Sequence, residues 1–356
     1  MTSASRFLLI IALLGSVLIQ PAFGQQGRGE VPATAPAGYQ GQRTANSYVP
    51  LPAAAAGVAP ATQPAVHVET IPEPLRREFG INPFYTRTLT IDGIPIIGSD
   101  KVSDYAFLEC AFTLDHMLME SPQKVKDALI AAKVRVGIIA VVEYTMDIPE
   151  NQSRRRMALL QAAFQDRRSR GLGGLPLATC AEENLLNLRG DPYTAENITI
   201  HEFSHTVASA MRRSDPAWYR QLRDTYDQAM KEGLFASSYS ATNEQEYWAE
   251  GAQAWFDCAA QRKDATVHSG IWNRDQLKAY DPRLADILQG IYGDGDWRYV
   301  KSTNRPLRVG EKTYLRSPSE LAHLAGINRP AFPTFSFNNS PRIQAANRAT
   351  ASDPKE

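Results

Sequence analysis

Two histidines and a glutamate in the run Ile198-Thr199-Ile200-His201-Glu202-Phe203-Ser204-His205 have the types and spacing of half a catalytic zinc site. Residues four apart on an α-helix lie one turn apart on one face, so both imidazoles can reach a single ion. Glu202 follows the first histidine, where a carboxylate can take a proton from a water at the ion's open position. The plainer alternative is a partly exposed helix carrying two unrelated histidines.

A zinc hydrolase needs three protein ligands and one open position, so His201 and His205 require a partner from elsewhere in the chain. A third histidine three residues past a glycine is excluded, because Ala208 and Met211 stand at those places. The candidate lies in the stretch from Tyr239 to Asp257, where Thr242 and Gln245 form a capping box that starts a helix. On that helix Glu246 and Glu250 are four apart and share a face, and like charges at that spacing repel unless cations separate them. A zinc ion and an imidazole would do so. Glu246 is therefore assigned as the third ligand, and Glu250 as the carboxylate that accepts the free N–H of a ligand histidine; the reverse assignment stays open.

With these residues the chain resembles the gluzincin peptidases of the anthrax lethal factor type, which include the secreted Pro-Pro endopeptidases. In that group the two-histidine helix is followed some forty residues on by a tyrosine, a glutamate seven later and a second glutamate four beyond, and Tyr239, Glu246 and Glu250 match in type and spacing. The resemblance covers Gly171 to Asp257. It implies an α+β, zincin-like metallopeptidase domain: a mixed sheet with an edge strand above the two-histidine helix, and a second helix carrying the glutamate ligand. It also implies one Zn2+ ion and a transition-state hydrogen bond from Tyr239. Substrate preference does not carry over.

The elements that must position these groups can be read from periodicity. Thr88 to Ile97 around Asp92-Gly93 predicts a hairpin with a tight turn. Helices are expected over 103–120 and 122–133, with His116 as a structural residue. The β-branched run Val134 to Glu143 reads as a strand buried on both faces. Gly171 to Cys180, with its glycines and Pro176, suits a sheet edge, and Gly173, Gly174 and Leu175 are the candidate substrate-binding residues there. The histidine helix should begin shortly after Thr194 and run to about Arg213, followed by a helix from Asp215 to Lys231 that Gly233 stops. Ser204, a small residue, lets the histidine helix pack closely. His268 and Arg274 follow the glutamate helix as candidates for the cleft or for supporting positions.

Composition sets the frame. The hydrophobic fraction is 43%, ample for a core, and 38 basic residues balance 38 acidic ones, which gives no general pull toward nucleic acid. Arg154-Arg155-Arg156 and Arg167-Arg168 read as solvated helix faces. Residues 1–24 have the basic start, apolar stretch and small-residue cleavage site of a secretory signal, so a secreted or periplasmic protein without a stable membrane anchor is expected. Residues 25–70 read as a Pro/Ala/Gly-rich disordered linker, 71–338 as the peptidase domain and 339–356 as a mobile tail. Of Cys110, Cys180 and Cys258, two could pair and leave one over; the sequence does not say which, and Cys180 with Cys258 is the pair that would clamp the site. The function expected is a zinc-dependent metallopeptidase acting on a peptide or protein substrate, with Glu202 as general base. Its rivals are a zinc hydrolase acting on a non-protein amide and a non-catalytic zinc-fold binding protein.

Overall fold

The computed structural model describes residues 67–153, 159–260, 268–304 and 331–351. The stretch expected as a signal, most of the expected linker, Arg154 to Arg156, Tyr314 and the last five residues lie outside them. Glu69–Thr70 (β1), Arg87–Ile91 (β2), Ile94–Gly98 (β3), Arg135–Ile139 (β4) and Leu177–Ala181 (β5) form one sheet in that order. The first three strands are antiparallel and the last two join in parallel, so the sheet is mixed and the fold is α+β. The sheet begins before Ile71, because Thr70 already pairs with Arg87.

The hairpin between β2 and β3 turns at Asp92 and Gly93, both at positive φ (47° and 77°), as a two-residue turn of this kind requires. Every residue of β4 is buried, since helices cover one face and a mainly aliphatic layer around Tyr85 the other. Glu73–Phe79 (α1) leads into that layer. Asp104–Leu118 (α2) is capped by Ser103, and Gln123–Ala131 (α3) follows Pro122. His116 Nδ1 meets Phe112 O at 2.8 Å and the ring packs between Phe112 and Trp297, a structural placement.

Pro149–Ser153 (α4), Leu159–Arg168 (α5) and Glu182–Leu185 (α6) flank β5, after which Ile198–Ser214 (α7) carries the two histidines. Pro216–Lys231 (α8) and Glu244–Trp255 (α9) pack on α7, and Arg274–Tyr280 (α10) and Pro282–Tyr292 (α11) cover α9. Among the described residues no helix is long and apolar enough to cross a membrane.

Two expectations are corrected. Residues 341–351, expected in a mobile tail, form a helix (α12) docked on α5: Ile343 is fully buried beside Ala163, and Arg342 bonds Asp166 at 2.6 Å and Asp147 at 2.8 Å. A sequence of small and polar residues hides this because its apolar face is only Ile343 and Ala346. The three cysteines are free and buried, and Cys180 lies in hydrogen-bonding contact with Cys110 on α2, not with Cys258. Cys258 falls at the far end of α9.

Candidate metal centre

The start of α7 is fixed by side chains that sequence spacing did not single out. Asn197 caps the helix, accepting from Ile200 N at 3.0 Å. Asn184 accepts from Ile198 N at 2.8 Å and donates to Asp191, Tyr193 O and Glu196 O, pinning the turn that precedes the helix. These bonds satisfy donors a helix start leaves orphaned, and they fix the start of α7 at 198. Ser204 is covered from the other side: Trp248 Nε1 donates to its carbonyl at 2.8 Å and Tyr292 Oη to its hydroxyl at 2.9 Å. Its small side chain admits both rings, which lock α9 and α11 against α7.

Helix α9 starts one residue later than the capping box proposed. Asn243, not Thr242, is the cap, accepting from Gln245 N and Glu246 N at 2.9 Å each. Glu246 thereby sits in the first turn, facing the histidines.

His201 Nε2, His205 Nε2 and Glu246 Oε2 form a triangle with sides of 3.1, 3.2 and 3.3 Å. Tetrahedral zinc with bonds of about 2.0–2.1 Å separates its ligand atoms by about 3.3 Å. The donor set and spacing fit that ion. Glu202 and His205 keep partial exposure, so the triangle opens to solvent on one side.

The tautomer of His201 follows from its neighbours. Gln253 Nε2 donates to the Asn197 carbonyl at 3.2 Å, and a carbonyl can only accept, so Gln253 Oε1 is the atom 3.0 Å from His201 Nδ1. The Nδ1 proton is held there, and the Nε2 lone pair is left for a cation. Glu250, expected in this role, lies 3.7 Å from Nδ1, beyond hydrogen-bonding distance. Gln253 is seven residues past Glu246, on the stripe it shares with Glu250; a polar stripe on an otherwise apolar helix was the available signal.

Glu250 instead belongs with Glu196 and His268, three groups whose donor atoms lie within 4.8 Å of one another. His268 Nδ1 faces Glu250 at 3.3 Å and Nε2 faces Glu196 at 3.4 Å. A metal ion takes one ring nitrogen, whereas a carboxylate at each nitrogen suits the doubly protonated ring, which has two donors. His268 thus lies between buried Glu250 and partly buried Glu196. Arg274 lies away from the triangle, buried over Trp255 and bonded to Trp255 O at 2.8 Å.

The local field demands positive charge. Burial pulls His201 down, but the hydrogen bond with Glu246 and the charges of Glu202, Glu250 and Glu246 outweigh it and push it up to about 10. Burial raises the Glu202 pKa, opposed by the charges of the two histidines. Glu246 is held well below that range: burial opposes, and the hydrogen bonds with His201 and His205 win. Tyr239, on the 3-10 turn just before α9, donates to Glu246 Oε1 at 3.0 Å, and burial raises its phenol.

The glycine segment is placed differently from expectation. Only Leu177 to Cys180 of the proposed edge is strand, and Leu172 bridges back antiparallel to Thr179 on the outer side of β5. Gly174 exchanges both backbone bonds with Thr206 Oγ1 at 3.1 Å, and Leu175 packs on the core. Gly173 lies against α7 so closely that a Cβ would stand 2.4 Å from Glu202 O and 2.5 Å from His205 Cβ. These residues therefore seat α7. Buried Arg170, bonded to Glu183 at 2.5 and 3.0 Å and to Glu143 O at 2.6 Å, anchors the loop that delivers them.

Two expected results follow from this geometry. Gly173→Ala should destabilise the fold by roughly 1–3 kcal/mol, because helix backbone cannot yield to the new methyl, and urea unfolding measures it. Gln253→Ala should leave the protein folded with about 10- to 100-fold weaker zinc binding, read by chelator competition. Unchanged affinity there would mean that Gln253 does not hold the His201 proton.

No protein-family model and no curated protein matches the chain. Among solved structures it is similar to the Pro-Pro endopeptidase PPEP-2 from Paenibacillus alvei, with a TM-score of 0.35 and 16% identity, over 54% of this chain and 95% of that one. A likeness at that level carries no argument, so the functional reading is built on the site.

Proposed function

We propose that the chain is a secreted zinc metallopeptidase with a zincin-like, glutamate-ligated centre: His201, His205 and Glu246 as ligands, Glu202 as general base and Tyr239 as hydrogen-bond donor to the reacting carbonyl. The observation that carries this reading is the triangle of ligand atoms with sides of 3.1 to 3.3 Å, which has a carboxylate and a phenol beside it. A purely structural site needs neither.

When bound, zinc supplies a Lewis acid that acidifies water and polarises a carbonyl. Glu202 takes the proton of the attacking water and later delivers it to the leaving amine. Burial raises its pKa, opposed by the two histidines. The Tyr239 hydroxyl exchanges its bond to Glu246 for one to the developing oxyanion. Gln253 keeps His201 in the tautomer that leaves Nε2 free.

Metal analysis of the purified protein together with cleavage of a peptide library tests the proposal. One zinc per chain and chelator-sensitive cleavage are expected, and absence of zinc would overturn it. Zinc with no cleavage of any peptide but turnover of a non-peptide amide would replace the substrate class. Tyr239→Phe should retain the metal and lose about 10- to 1000-fold in kcat, measured on the best peptide.

A further inference from the structure

We propose that His268 is a positioning residue of the metal centre: it holds Glu250 in a rotation that stops short of His201, and so leaves the His201 proton to the neutral amide of Gln253. The inference rests on the metal reading of the triangle and adds the residue that decides the partner of one ligand.

Five side chains form a circuit of contacts behind the triangle. His201 Nδ1 lies 3.0 Å from Gln253 Oε1. Gln253 Nε2 donates to Glu196 Oε2 at 3.4 Å, and the other oxygen of Glu196 faces His268 Nε2, also at 3.4 Å. His268 Nδ1 meets Glu250 Oε2 at 3.3 Å. Glu250 Oε1 then faces His201 Nδ1 at 3.7 Å, and there the circuit stays open.

The two oxygens of Glu250 thus face two different histidines, and closing the gap to His201 takes less than 1 Å. The terminal torsion of a glutamate is soft, so its carboxylate turns unless a partner holds it. His268 Nδ1 is that partner. Both residues are buried, His268 with 8% and Glu250 with 6% of its surface exposed, so protein groups rather than bulk water set their orientation. The choice has a chemical consequence. A carboxylate that accepts the Nδ1 proton makes the imidazole a more basic ligand than an amide does, and it can replace the amide altogether.

Zinc affinity by chelator competition, taken with and without Gln253, reads this coupling. In the wild type Gln253→Ala should cost about 10- to 100-fold. In His268→Ala protein, where Glu250 is released to take the proton, the same change should cost no more than about threefold. Adding Glu250→Ala to that protein should restore the full cost. His268→Asn, whose amide can donate to Glu250 Oε2 in place of Nδ1, should behave as the wild type. Because each ratio is taken within one background, general effects on charge or folding cancel. With isotope-labelled histidine in the metal-free protein, the His201 Nδ1 proton resonance should move downfield in His268→Ala, as a carboxylate replaces an amide, and return in His268→Ala with Glu250→Ala. A cost below about threefold already in the wild type, or one that stays above about tenfold in His268→Ala, overturns the assignment, and the first of these needs no His268 variant to fold. If the protein binds no zinc, the metal reading fails by itself. The metal-free resonance then still decides His268, and a proton that does not move overturns the proposal.

Discussion

Glu202→Gln is expected to bind zinc like the wild type and to lose about 10²- to 10⁴-fold in kcat, the usual contribution of a positioned general base. The substitution keeps the shape of the side chain and its place beside Gly173, so α7 and the ligand triangle stay as they are. Only the ability to accept a proton is removed. Metal content by elemental analysis and turnover of the best library peptide are measured together. A fully active Glu202→Gln protein would falsify the mechanism.

His205→Ala should lose both metal and turnover. It removes one corner of the triangle, 3.1 Å from His201 Nε2 and 3.3 Å from Glu246 Oε2, and two ligands do not hold zinc at the affinity of three. The loss also reaches stability. Because zinc binds only the assembled site, the wild type should gain Tm on addition of the metal, by the linkage of binding to folding, whereas His205→Ala should show no shift. Equal zinc-induced shifts in both proteins would place the metal elsewhere. The pair of variants thus separates holding the ion from moving the proton.

How far these residues could be read in advance depended on distance along the chain. His201, Glu202 and His205 lie within five residues, and one helical turn fixes their mutual placement, so their pattern was legible. Tyr239, Glu246 and Glu250 were legible as a spacing, and the structure brings Tyr239 and Glu246 to the histidines. Glu250 shows the limit. Its helical face was correct, but whether it or Gln253 meets His201 Nδ1 turns on less than 1 Å, 3.7 against 3.0 Å, and that is set by how α9 leans on α7 through Trp248 and Ser204. Glu196 and His268 come from two further segments, and nothing local marks them as a pair. The glycines of 171–174 signalled close backbone approach, and the structure shows the two-histidine helix as a neighbour that needs it.

The sequence by itself determined the two-histidine helix, the hairpin and the buried strand, because each follows from side-chain periodicity or turn chemistry over a few residues. Only the tertiary structure decided which acceptor holds the His201 proton, where Glu250 is spent, that the cysteines stay apart from the expected clamp, and that 341–351 docks as a helix. Those outcomes depend on contacts between elements far apart in the chain, and a shift of about 1 Å in packing exchanges one hydrogen-bond partner for another.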